Sequence, residues 1–142
     1  MGPQADLVVR DRQNRSVLIV EVKSRAVSRS KFHLPESLLS ASEKVPFAMW
    51  VDPEELRIFR GGFGDLSNPI CTLRTRDILQ HYDREFASKR IFSPYLTTLV
   101  DAWLRDLAYH WKSPVPPAAA ELEALGLLQQ LSGGSTETEA RV

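Results

Sequence analysis

Residues 5–25 read ADLVVRDRQNRSVLIVEVKSR, and the rest of the chain is interpreted outward from them. Two runs rich in Val, Leu and Ile flank the polar segment Arg12-Gln13-Asn14-Arg15. This is the pattern of two strands joined by a tight turn in which Asn14 takes a positive φ. With Gln13 and Asn14 as the two loop residues, Arg12 faces Arg15, Val9 faces Leu18, and Asp6 faces Glu21. Directly opposed side chains have Cβ atoms roughly 4.5–5.5 Å apart, and alternate residues of a strand share a face. Asp6, Glu21 and Lys23 therefore converge on one side with Val8 and Ile19, while Leu7, Val9, Leu18, Val20 and Val22 form the other. Both faces are largely apolar, as in a strand buried within an α/β layer.

Charged side chains are seldom placed inside such a strand. An unpaired buried ion costs several kcal/mol, and two facing carboxylates repel. A divalent cation reverses that sign. Mg²⁺ is held by one or two carboxylates while keeping waters, and a neighbouring lysine orients a nucleophile or neutralises transition-state charge. The plainer alternative is that Glu21 and Lys23 form a solvated pair on an edge strand; the apolar neighbours on both faces argue against it.

Asp6, fourteen intervening residues and then Glu21-Val22-Lys23, each in an apolar strand, is an arrangement that resembles the PD-(D/E)xK nuclease superfamily. The resemblance covers roughly the first sixty residues, with Ala5 standing where a proline often precedes the aspartate. It implies an α/β domain with a restriction-endonuclease-like core, a central mixed sheet with flanking helices. It also implies Mg²⁺ or Mn²⁺ bound by Asp6, Glu21 and the backbone carbonyl of Val22, with Lys23 assisting attack on a phosphodiester. The implied partner is nucleic acid, DNA ahead of RNA. The resembled fold begins with a helix, often bearing a further acid, and a first strand that pairs with the motif hairpin. Only five residues precede Asp6, so the usual N-terminal helix is expected to be absent. Completion by a missing N-terminal segment or a partner chain, or pairing into a homodimer along an uncovered strand edge, is expected instead.

Eighteen basic and eighteen acidic residues balance, and 43% hydrophobic with 25% charged residues is ordinary for a globular domain. The chain is thus no bulk polycation, but its charge is uneven. Seven basic residues lie between Arg10 and Lys31 against Asp11 and Glu21, the distribution a phosphate-binding rim needs, with Arg25, Arg29 and Lys31 as its candidate contacts. Arg12 and Arg15 read equally well as a solvated loop. One cysteine, Cys71, cannot form an internal disulfide. With no apolar leader or span, the expectation is a cytoplasmic protein without membrane contact.

Past Lys23 the chain reads as a basic loop and a short helix over 37–44 after Pro35. A hairpin follows, with strands 47–51 and 56–59 around the turn Asp52-Pro53-Glu54-Glu55. Asp52 and Glu54 are read as turn chemistry, and His33 as a loop residue without ligand partners. Gly61-Gly62-Phe63-Gly64 lacks the closing Lys-Ser/Thr of a phosphate loop. A short helix covers 76–82. Ser93-Pro94 opens a long helix whose stripe Leu96, Leu99, Val100, Trp103, Leu104, Leu107 and Trp111 marks a buried face. The expected organisation is a nuclease-like domain over 1–112, a linker and C-terminal helix over 113–131, and a disordered polar tail over 132–142. Two other readings remain at this level: a nuclease-like fold that binds without cutting, and an interaction module whose hairpin charges form a plain ion pair.

Overall fold

A computed structural model describes residues 6–28, 36–62 and 66–138. It is an α/β arrangement built on one six-stranded mixed sheet in the order β5-β4-β3-β2-β1-β6. The hairpin comprises β1 (Leu7–Arg10) and β2 (Ser16–Val22), and helix α1 (Glu36–Ser42) leads to β3 (Phe47–Val51), which runs parallel to β2. Strands β4 (Glu55–Arg60) and β5 (Cys71–Arg74) continue antiparallel on that side. Then come α2 (Thr75–Leu79), a 3-10 turn at Phe86–Ser88, α3 (Ser93–Tyr109), α4 (Ala119–Leu125), α5 (Leu127–Leu131) and β6 (Ser135–Thr138).

The two faces of the hairpin separate as the alternation requires. Leu7, Val9, Leu18, Val20 and Val22 join Phe47, Met49, Val51, Leu56 and Ile58 under Leu96, Val100, Trp103, Leu104 and Leu107 of α3. The opposite face packs Val8, Ile19, Ala48, Trp50 and Phe59 beneath Leu38 of α1 and Val45. Among the described residues one helix of seven residues covers this second face, and it is the face that carries the acidic residues. Among the described residues no helix is long and apolar enough to cross a membrane.

Three expectations change. The C-terminal segment is not a linker, helix and disordered tail: Trp103 Nε1 donates to the Pro117 carbonyl at 2.9 Å, and Leu122, Leu127 and Leu131 are fully buried. Gly126, at φ 84°, breaks the expected single helix into α4 and α5. Residues 135–138, read as disordered because Ser-Thr-Glu-Thr has no apolar face, form β6 and pair antiparallel with β1, Leu7 opposite Thr138 and Arg10 opposite Ser135. Backbone pairing needs no apolar side chain. It does need close approach, which Gly134 permits, since a Cβ there would lie 2.1 Å from the Arg10 carbonyl oxygen. The edge of β1 on which self-association was expected is thus covered by the chain's own β6.

Helix α3 opens at Ser93-Pro94 as read, and its cap residue is Phe92, which makes no side-chain cap hydrogen bond. In the last turn of α3, Asp106 is fully buried and holds the chain just past the helix, where the linker was expected. It accepts from the Tyr82 hydroxyl at 2.7 Å and from the N–H groups of Lys112 and Ser113 at 2.9 and 3.0 Å. Burial pushes its carboxyl up, but these donors outweigh burial and hold it below the usual carboxylate range.

Candidate active site

The site depends on hairpin register, and the register arises from two features that cancel. The loop has three residues rather than two: Asp11 N–H bonds to the Arg15 carbonyl at 2.9 Å, Asn14 N–H to the Asp11 carbonyl at 2.9 Å, and Asn14 takes φ 65°. The Asp11 carboxylate organises this loop by accepting from the N–H groups of Gln13 and Arg15, both at 2.9 Å. A three-residue loop alone would shift the pairing by one and turn Glu21 away from Asp6. The pairs, however, run Val9 to Leu18 and then Arg10 to Ser16, so Val17 is an extra residue on β2. That bulge restores the register. Leu7 faces Val20, Val8 faces Ile19, and Asp6 reaches Glu21 as the sequence predicts.

Asp6 sits where the β1–β2 ladder ends. Its N–H bonds to the Val20 carbonyl at 2.8 Å, and its Oδ2 accepts from Val22 N–H at 2.7 Å. In a strand the N–H and C=O of one residue face the same neighbour, so the Val22 carbonyl is directed to the Asp6 side as well. The Glu21 side chain is only 7% exposed, and Lys23 Nζ lies 3.3 Å from Glu21 Oε1. Burial raises the Glu21 carboxyl above its ordinary range, and the adjacent Asp6 charge raises it further; the Lys23 ammonium opposes both. Lys23 is half exposed. The structure therefore brings together Asp6, Glu21, Val22 and Lys23.

Of the expected phosphate contacts, Arg25 is exposed in the loop after β2, while Arg29 and Lys31 lie outside the described residues, as does His33. Asp52 is turn chemistry as read: its Oδ1 accepts from the N–H groups of Glu54 and Glu55 at 2.9 and 2.8 Å. Two sets of residues escaped the sequence reading. Arg57, 3% exposed, carried a signal in its position inside the apolar run Leu56–Phe59. The other set lines a groove of about 400 Å³ that contains Asp6: Ser93, Thr97, Thr98 and Asp101 of α3, with Thr138 of β6. No sequence signal joins residues so far apart. A groove of about 480 Å³ at the hairpin turn, lined by Arg12, Arg15 and Gln129 among others, contains neither Asp6 nor Glu21 and is not the site.

Two adjacent carboxylates and a directed carbonyl are hard oxygen donors suited to Mg²⁺ or Mn²⁺. Asp101 does not complete a triad. It takes a hydrogen bond from the Thr136 hydroxyl and pairs with Arg105 Nε at 3.3 Å, and among the described residues no group of three His, Cys, Asp or Glu side chains gathers.

The pair can be tested without a substrate. Asp6→Asn keeps an acceptor for Val22 N–H and turns a repelling oxygen into a donor, so in chelator the variant is expected to melt above wild type by on the order of 1 kcal/mol. Mg²⁺ should stabilise wild type by mass action and the variant much less. The raised Glu21 value also sets a pH dependence: the folded protein binds this proton more tightly than the unfolded chain. Its stabilising contribution is complete below the ordinary value of 4.5 and is lost as pH rises through the folded value. A variant less stable than wild type, with no metal response in wild type, would remove the site.

Compared with known protein families, characterised proteins and solved structures, the chain finds no match, so the site stands on its own geometry.

Proposed function

We propose that the protein is a metal-dependent nuclease that hydrolyses phosphodiester bonds, DNA ahead of RNA, on a restriction-endonuclease-like core. The observation that carries this reading is the juxtaposition of a buried Glu21 with Asp6 across the hairpin and Lys23 at 3.3 Å. The fold reading draws support from the neighbours of the hairpin. In this reading α3 and β6, which come from the C-terminal half of the chain, take the places of the helix and first strand that the resemblance puts before it. The sheet then contains β6, β1, β2 and β3 side by side, with α3 and α1 on opposite faces.

In this reading Asp6, Glu21 and the Val22 carbonyl hold Mg²⁺ or Mn²⁺, which when bound supplies positive charge to the phosphate oxygens and an acidified water. Asp6 is oriented by Val22 N–H. Lys23, anchored by its N–H on the Val51 carbonyl at 2.9 Å, presents its ammonium beside Glu21, where it neutralises charge that grows on the phosphate and steers the nucleophile.

The direct test is incubation of supercoiled plasmid with wild type and Glu21→Gln, in Mg²⁺ and in chelator, with an RNA of matched length in parallel. Cleavage by wild type in Mg²⁺ alone is expected; equal activity in the variant overturns the reading. The second reading, a module that binds nucleic acid without cutting, is favoured by the pair of acids where a triad would be stronger. It predicts a shift of DNA mobility with no cleavage.

Neutralising Arg25, Arg29 and Lys31 together is expected to flatten the salt dependence of DNA binding. Each lost contact to duplex phosphate lowers the log–log slope by roughly 0.9. An unchanged slope places the binding rim elsewhere.

A further inference from the structure

The loop that leaves Lys23 has no helix or strand over residues 24–28, yet one of its residues is held at both backbone polar groups. Val27 N–H donates to Asp52 Oδ2 at 3.3 Å, and the Val27 carbonyl accepts from Arg57 Nη2 at 2.9 Å. Asp52 and Arg57 pair with each other, Nη1 to Oδ2 at 3.5 Å, and their side chains are 1% and 4% exposed. Arg57 Nη2 also meets Glu55 Oε1 at 2.6 Å. Asp52 Oδ2 further accepts from the Trp50 indole N–H at 3.3 Å, and Trp50 is the residue that β3 places opposite Glu21. The cluster therefore stands on the strands next to the carboxylates.

A buried guanidinium between two carboxylates is a costly way to hold a loop. Apolar packing does that at no desolvation cost, and the Val27 side chain already packs on the apolar cluster under α1. What charged hydrogen bonds add is direction: they fix the orientation of one peptide unit on each side of Val27. Only Ser24, Arg25 and Ala26 separate that point from Lys23, whose own N–H is tied to the Val51 carbonyl. The short loop is thus pinned at both ends. A half-exposed lysine on a four-carbon stem has many rotamers, and the path of the backbone beyond it decides which of them stay open.

We infer that Arg57 and Asp52 are positioning residues for Lys23, holding the 24–27 loop through Val27 so that the Lys23 ammonium stays beside Glu21 where the phosphate is attacked. The inference rests on the nuclease reading. A clamp that only shaped the β3–β4 turn would have no reason to take up both polar groups of a residue outside that turn.

The test is a double-mutant cycle in the full chain, Arg57→Met with Lys23→Ala, read by Mg²⁺-dependent plasmid cleavage. Arg57→Met alone is expected to lower kcat on the order of 10- to 100-fold, the scale of a small misplacement of a catalytic group, with KM and the Mg²⁺ midpoint within about twofold. In the Lys23→Ala background it should cost nothing further, because the group it positions is gone. Should Arg57→Met not fold, Val27→Pro removes the N–H donor to Asp52 and keeps the buried ion cluster, and the same cycle applies. Additive losses with an active wild type overturn the positioning role alone. A wild type without Mg²⁺-dependent cleavage overturns the nuclease reading and this inference with it.

Discussion

Replacing Lys23 by alanine is expected to reduce Mg²⁺-dependent cleavage about 10²- to 10⁴-fold while leaving Mg²⁺ affinity close to that of wild type. The separation follows from geometry. Lys23 shares the acidic face and lies 3.3 Å from Glu21 Oε1, but an ammonium offers three donors and no acceptor, so it acts on the phosphate or the nucleophile and not on the cation. Two smaller effects on metal binding oppose each other. Loss of Lys23 removes a positive charge that repels Mg²⁺, and it also removes an influence that lowers the Glu21 carboxyl, so metal affinity and cleavage rate are measured at the same pH for both proteins. Calorimetric Mg²⁺ titration and plasmid cleavage on the same preparations check both halves. Cleavage at the wild-type rate would leave Lys23 with no part in the chemistry, and a collapse of Mg²⁺ affinity would make it a structural partner of Glu21.

Truncation at Pro114 is expected to abolish cooperative folding. The deleted segment carries Leu122, Leu127 and Leu131, each at 0% exposure. Removing one fully buried leucine side chain costs about 2–5 kcal/mol, against a total stability of roughly 5–15 kcal/mol for an ordinary domain. The same cut removes β6, whose pairing covers β1, the strand whose end sets Asp6. It also takes away the Pro117 carbonyl that satisfies the buried indole N–H of Trp103. A milder variant, deletion from residue 133 onward, keeps the leucines and loses only β6; it should remain folded but expose the edge of β1. Thermal melts followed by circular dichroism distinguish the two. A cooperative transition in the chain cut at Pro114, at a temperature near that of the full chain, would mean that the first 113 residues hold the core alone.

Local patterning by itself determined the part of the fold that lies close along the chain. The alternation through residues 7–22 assigned the apolar residues of the motif hairpin to their faces apart from Val17, which the bulge turns into the core under α3, and the turn residues Asp52 and Pro53 marked the hairpin of β3 and β4. The helical stripe from Leu96 to Leu107 named the core face of α3, but Trp111, read as its last member, lies beyond the helix and is half exposed. Asp6, Glu21 and Lys23 were legible as a set because strand alternation and hairpin pairing are short-range rules. Their register held for a reason the sequence did not disclose: a longer loop and the extra residue Val17 offset one another, and a bulge depends on how the hairpin meets its neighbours more than on the residue that forms it.

Tertiary structure decided what lies far apart in the chain. Ser135–Thr138 has no apolar alternation, so nothing local marks it as a strand; it becomes one because the backbone donors and acceptors of β1 need partners and Gly134 lets the chain come close. The clamp at Val27 joins residues 27, 52 and 57 from a loop, a turn and a strand, and the groove at Asp6 is closed by α3 and β6. Burial is likewise a property of the assembled layers. It turns Glu21 from one charged residue among many into a carboxyl that holds its proton above the ordinary range, because desolvation and the facing Asp6 charge act only once the sheet and its helices have excluded water.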